Sequence, residues 1–196
     1  MAAITYATSW VNVCNRALSR LGAESITTME EGTDRSILCL LHLPEAVETL
    51  IQGNDWNCLK KDVELVQSDK TLDYEYDYQY ALPADYGRII EVYPRGYKYS
   101  VVEDYLLTDL DEEVYLTYIY KPTADPTTIP GTLLNAITME LAATLALPLT
   151  SNASLTERLE RKAAAARVVA INQDNRANDA DEVAGYRGVD YSEERR

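Results

Sequence analysis

A chain of 196 residues, 46% of them hydrophobic, is long enough to bury a core without a metal or disulfide staple. The formal net charge is −14, with 15 acidic against 6 basic side chains in residues 61–130. A surface that grips nucleic acid needs cations to neutralise phosphates, so this balance argues against a conventional DNA-binding module, though not against DNA passing nearby.

The nearly apolar stretch Ile37 to Leu43, with His42 inside it, is too short to span a bilayer. The N-terminus lacks the basic start and apolar run of a signal peptide, so the expectation is a soluble protein made in a cytoplasm, with no membrane partner. Cys14, Cys39 and Cys58 are odd in number and widely spaced among apolar neighbours. That pattern suits reduced core thiols better than a zinc site or a disulfide framework.

Trp10, Cys14, Ala17, Leu18 and Leu21 recur at helical spacing, with Ser9 as the N-cap and Gly22 as the stop. Asp34 is placed as the cap of a second helix whose apolar face reads Ile37, Leu38, Leu41, Val47, Leu50 and Ile51. Pro44 removes a backbone donor there and predicts a kink near Leu43, or two short helices.

From Lys61 to Pro122 the period becomes two. In residues 73–80 tyrosines alternate with acids, which assigns the rings to the packed face of a strand and the acids to the other. Further strands are predicted at 62–67, 88–93, 97–102 and 114–120, with turns at Pro94-Arg95-Gly96 and around Asp109-Leu110-Asp111. Five strands with short connections are expected to pair as antiparallel meanders.

After a Pro/Thr-rich linker, Lys121 to Pro130, read as loop, Leu133, Leu134, Ile137, Leu141 and Leu145 mark one helix ending at Pro148. A last helix begins after Asn152 or Ser154, with Leu155, Leu159, Ala163, Ala166 and Val169 inward. Beyond Asn178 the chain is polar, spotted with Val183, Tyr186, Val189 and Tyr191 and ending in Arg195 and Arg196. It reads as an extended arm that orders on a partner.

The predicted fold class is therefore α+β. Helices from both ends, 1–60 and 123–177, form a bundle, with an antiparallel sheet module at 61–122 inserted between them and an extended arm at 178–196.

Chemistry-bearing arrangements are sparse. Asp73, Glu75 and Asp77 share one strand face and invite comparison with a glycosidase carboxylate pair, but nothing in the sequence suggests a pocket that would raise one of them. His42 lies in an apolar stretch where a structural role is the simpler reading. No phosphate-cradling glycine loop or dinucleotide fingerprint is present. The expectation is no enzyme, no catalytic residues, no metal site and no cofactor. Leu82-Pro83 with Asp85, Tyr86 and Arg88 reads as a rigid structural corner, because Pro83 fixes its own φ and forces Leu82 to extended geometry.

Four segments together resemble the head-to-tail adaptor, or tail tubular protein A, family of short-tailed phages. They are Asn15-Arg16-Ala17-Leu18 with Leu21-Gly22; Leu50 and Trp56 followed by Val63-Glu64-Leu65; Tyr80-Ala81-Leu82-Pro83-Ala84-Asp85-Tyr86-Gly87-Arg88-Ile89, with Gly87 where a leucine is common; and Leu141-Ala142 through Leu155 into the Ala-rich helix and acidic tail. The resemblance spans nearly the whole chain. It implies a structural virion protein of the neck or tail, made in the host cytoplasm, that forms a dodecameric ring joining portal protein to tail nozzle and extending the channel for packaging, retention and ejection of double-stranded DNA. Self, portal, nozzle and tail fibres are the implied partners. The portal-binding arm would be Val183, Tyr186, Val189, Tyr191, Arg195 and Arg196. Asp73, Glu75, Asp77, Glu103, Asp104, Asp109, Asp111, Glu112 and Glu113 supply two open readings: some, with Asp109, Asp111, Glu112 and Glu113 foremost, line the channel and repel the duplex, or all are solvated outer charges. The alternatives from other classes are an acidic cytosolic interaction scaffold and a carboxylate-based cell-wall hydrolase.

Overall fold

The structure, a computed structural model, describes residues 9–68, 76–111, 113–122 and 126–186, with side chains described as far as Ala177. The chain is α+β, with four α-helices and two small antiparallel sheets among the described residues. It divides into two compact units, 1–50 with 125–196, and 51–124. The second unit begins ten residues before the change to period two at Lys61, and so takes in Trp56.

In the helical unit, α1 (Trp10–Leu21) starts where the Ser9 hydroxyl accepts from the Asn12 N–H and stops at Gly22, whose φ of 71° suits a residue without Cβ. Its buried face is Val13, Cys14, Ala17 and Leu18. Asn15 pins the following loop, donating to the Ile26 carbonyl at 2.9 Å and accepting from the Ile26 N–H at 2.8 Å.

Helix α2 (Asp34–Gln52) is capped one residue earlier than expected. The Thr33 hydroxyl accepts from the Ser36 N–H, and Asp34 lies in the first turn. It runs without a break through Pro44, in place of two short helices. The carbonyl that Pro44 leaves without a donor belongs to Leu40, which is exposed, so water can serve it. The buried face is Ser36, Cys39, Leu43, Ala46, Val47, Leu50 and Ile51; Val47, Leu50 and Ile51 lie on it as predicted, whereas the predicted Ile37 and Leu41 point to solvent.

Helix α3 (Gly131–Thr150) buries the five predicted leucine and isoleucine positions and much else besides. It continues two residues past Pro148 to a left-handed Ser151. By length and composition α3 could cross a membrane, which the 37–43 stretch could not, but 61% of its apolar window is buried inside the protein, as in the core helix of a globular unit. Helix α4 (Ala153–Tyr186) begins at Asn152, whose side chain accepts from the Leu155 N–H at 3.0 Å. Met139, Ala143 and Ala146 of α3 pack on Leu159 and Ala163 of α4, small residues that bring the axes close. Ala170 is buried where Val169 was expected; Val169 faces out. The helix includes the first nine residues of the segment expected to be an extended arm.

Among its described residues the strand unit has seven strands where five were predicted: β1 (Lys60–Glu64), β2 (Val66–Gln67), β3 (Tyr78–Ala81), β4 (Tyr86–Tyr93), β5 (Tyr99–Val102), β6 (Tyr105–Thr108) and β7 (Tyr115–Tyr120). They form sheets of order β1-β7-β4 and β2-β3-β6-β5. Sequential antiparallel pairing holds for β2–β3 and for the tight hairpin β5–β6, turned at Glu103-Asp104, whereas β1–β7, β4–β7 and β3–β6 pair over long range. Leu65, Tyr80, Leu106, Leu110, Val114, Leu116 and Tyr118 make the core. Both faces of β3 are covered, since Gln79 is buried beside Tyr80. The charged edge strand β1 discourages further pairing.

Candidate functional site

The Leu82 to Arg88 corner is the best-defined polar site of the strand unit. The Tyr86 N–H donates to the Pro83 carbonyl at 2.9 Å, closing the turn that Pro83 begins, and the Leu82 N–H donates to the Asp104 carbonyl at 2.9 Å. The turn aims Asp85 at β1 and β7. Lys61 Nζ donates to Asp85 Oδ2 at 2.6 Å and the Tyr118 hydroxyl to Oδ1 at 2.8 Å. Partial burial pushes the Asp85 carboxyl up, but the bonds from Lys61 and Tyr118 outweigh it and hold the group below its ordinary value. Burial and the Asp85 carboxylate push Tyr118 up to about 12. Lys61 also sits over the Tyr120 ring, 4.1 Å from its centroid.

Arg88 reaches back to Asp55 and to the Asn54 carbonyl, anchoring β4 to the segment before Trp56. Gly87 has a steric reason for being glycine: a Cβ there would lie 2.7 Å from the Ile119 carbonyl oxygen, at a bulge in the β4–β7 ladder. All five predicted corner residues therefore serve the sheet. Lys61 and Tyr118, the partners of Asp85, were missed, because antiparallel pairing across some 33 residues leaves no local signal.

The acids divide into two groups. Asp77, Asp109, Asp111 and Glu113 gather at one end of β6, and Glu103 and Asp104 lie at the other, about 13 Å away for a strand of four residues. Asp109 accepts from the Asp77 N–H at 3.3 Å, Tyr78 donates to Asp111, and Tyr115 donates to Glu113 at 2.9 Å. Asp73, Glu75 and Glu112 lie outside the described residues. Among the described residues no group of three His, Cys, Asp or Glu could hold a metal ion.

In the helical unit, Cys14 and Cys39 are buried thiols in mutual contact, and that contact with burial drives the Cys14 thiol well above its ordinary range. Cys58 is half-buried and in no disulfide. His42 pairs with Glu45 at 3.3 Å. Val183 and Tyr186 belong to the end of α4, while Val189, Tyr191, Arg195 and Arg196 lie outside the described residues. Arg167 joins α4 to α3 through Glu140 at 3.0 Å. A groove borders Val169, Asn172, Gln173 and Arg176 on the outer side of α4. Sequence reading also missed two exposed apolar stripes, Ile37, Leu40 and Leu41 on α2 and Val168 and Val169 on α4. Neither a scan against protein-family models nor a search of curated proteins finds a match to this chain.

Proposed function

We propose that this chain is a structural virion protein, a ring-forming head-to-tail adaptor of a short-tailed phage. It binds the portal on one side and the tail nozzle on the other, extends the DNA channel and catalyses nothing. The observation that carries the reading is the division of the chain. Helices from both ends make one compact unit, the strands between them make another, and the helical unit ends in a 34-residue helix, in the element order on which the family resemblance rests. The polar corner supports it too, since Asp85, Lys61 and Tyr118 are committed to holding strands together and Arg88 to anchoring β4 on the segment before Trp56. A dodecamer, as the family implies, needs one face of each copy to meet a different face of the next, with a rotation that closes. The end of α4 and the residues after it supply portal contact, and tail fibres attach from outside.

Negative-stain imaging of the protein mixed with its cognate portal tests this reading. An added ring of density below the portal is the expected result, and deletion of Asp179 to Arg196 is expected to keep the fold and abolish that ring. A protein that never adds to portal rings would leave the acidic scaffold as the better reading, and clearing of peptidoglycan in a zymogram would favour the hydrolase.

A further inference from the structure

Two helical faces carry apolar side chains that the chain leaves uncovered, and their charges are opposite. On α2, Ile37 and Leu40 are each 54% exposed and Leu41 is 64% exposed. Helical spacing places the exposed acids Asp34, Glu45 and Glu48 on that same stripe. Its one arginine, Arg35, lies away from the stripe and pairs with Glu24 at 3.0 Å. On α4, Val168 and Val169 are each 56% exposed. The same spacing sets Arg158, Arg161, Lys162 and Arg176 beside them, all exposed. Of the acids of that helix, Glu157 lies at the N-terminal edge of the stripe beside Arg161, Glu160 falls to the opposite flank and Asp174 is buried. At a rise of 1.5 Å per residue the charged stripes run about 21 Å on α2 and about 27 Å on α4, so one can lie along the other.

We propose that the α2 stripe of one copy docks along the α4 stripe of a second copy of this chain. Carboxylates then meet guanidinium and ammonium groups, and Ile37 and Leu41 cover Val168 and Val169, with Ala165 small enough to let the helices approach. Because two different faces meet, an open assembly keeps one face of each kind free at its ends, and association runs head to tail until it closes. The closure rests on the ring-forming reading above; the choice of faces comes from exposure and charge. One helix pair buries less than a standard interface, so the contact is weak for two copies alone, sensitive to salt, and strengthened when a ring closes.

A charge swap tests it. One variant carries Asp34→Lys with Glu45→Lys, the other Arg161→Glu with Lys162→Glu; all four positions are exposed, and circular dichroism checks that both fold. Sedimentation equilibrium over a concentration series at low and high salt reads the association. The wild type is expected to associate at low salt and dissociate at high salt. Each variant alone is expected to lose affinity by about a hundredfold or more, since like charges then face each other. The equimolar mixture regains wild-type mass, because every contact again joins opposite charges, and a single chain carrying all four changes also associates. A wild type that stays monomeric at every concentration, undiminished association of either variant, or a mixture without rescue overturns the proposal. So does binding of a DNA duplex that the α4 variant loses and the mixture does not restore, which would assign the basic stripe to phosphates. Portal binding is scored separately: rescue without rings on the portal removes the adaptor reading and keeps this one, and portal rings indifferent to both variants do the reverse.

Discussion

Replacing Asp85 with alanine removes the acceptor of two hydrogen bonds at once, from Lys61 at 2.6 Å and Tyr118 at 2.8 Å. The Tyr118 contact carries most of the effect. Its residue is 3% exposed, so the hydroxyl loses a charged acceptor with little access to water, a loss of about 1.5–3 kcal/mol. The Lys61 pair is 46% and 35% exposed on its two sides, and after solvent screening it adds less than about 1 kcal/mol. A total of about 2–3 kcal/mol should lower the melting temperature of a unit this size by ~10 °C or more. The Asp85 carboxyl is held below its ordinary value, so its stabilisation is fully present above about pH 4, the value of an unfolded carboxyl, and is lost as pH falls through the lowered folded value. Thermal melts of wild type, Asp85→Ala, Tyr118→Phe and the double variant at pH 7 and at pH 3 or below check both parts. The cycle should show coupling of about 1 kcal/mol or more at pH 7, shrinking in acid. Additive effects at pH 7, or a wild-type advantage that survives unchanged in acid, would refute the reasoning.

Trp56, 1% exposed, is expected to cost about 3–5 kcal/mol when replaced by alanine, read as a fall in the urea midpoint or loss of soluble protein; normal stability would show it to be peripheral. Gly87→Leu, the residue common in the family, should destabilise by about 1–3 kcal/mol because its Cβ meets the Ile119 carbonyl at 2.7 Å; a melting temperature equal to wild type would show that β4 can move aside. Asp111→Lys with Glu113→Lys should leave ring assembly unchanged and slow DNA ejection, more at low salt than at high; equal kinetics at every ionic strength would leave solubility as the role of these acids.

What the sequence disclosed depended on how far apart the deciding residues lie. The caps of α1 and α4 were legible because Ser9, Gly22 and Asn152 act within four residues. The face of α2 was legible in its second half, at Val47, Leu50 and Ile51, but not in its first, since Ile37, Leu38, Cys39, Leu40 and Leu41 are all apolar and composition alone cannot choose a phase. Pro44 does not divide α2 into two helices and Pro148 does not end α3 for a common reason: each sits in an exposed turn where solvent can serve the carbonyl that proline cannot. The two sheets were missed because β1 pairs with β7 and β3 with β6, contacts that alternation along one strand cannot encode. β6 went unread since Tyr105-Leu106-Leu107-Thr108 is short and lacks alternation; both leucines are buried. At the corner, the turn around Pro83 was legible from its own residues, whereas the lysine and tyrosine that Asp85 binds come from β1 and β7.

Two compositional oddities, 15 tyrosines without a phenylalanine and a strand unit rich in carboxylates, have one physical explanation. With 15 acids against 6 bases in residues 61–130, cations are too few to pair every carboxylate. A tyrosine hydroxyl is a neutral donor on a ring that also fills a core. Tyr118 donates to Asp85, Tyr115 to Glu113 and Tyr78 to Asp111, while Tyr80 donates to the Leu110 carbonyl. Phenylalanine would fill the same volume and leave those acceptors without their bond. Burial first and the Asp85 carboxylate second raise the Tyr118 phenol to about 12, and the bonded carboxylates raise Tyr115 and Tyr78 above their ordinary value, so the stabilisation is present below the unfolded value near 10 and lost only as pH rises through the folded one. The bonds therefore hold throughout the neutral range. A tyrosine partner bonds a carboxylate without cancelling its charge, as at Asp111 and Glu113, whereas a lysine partner cancels it, as Lys61 does at Asp85.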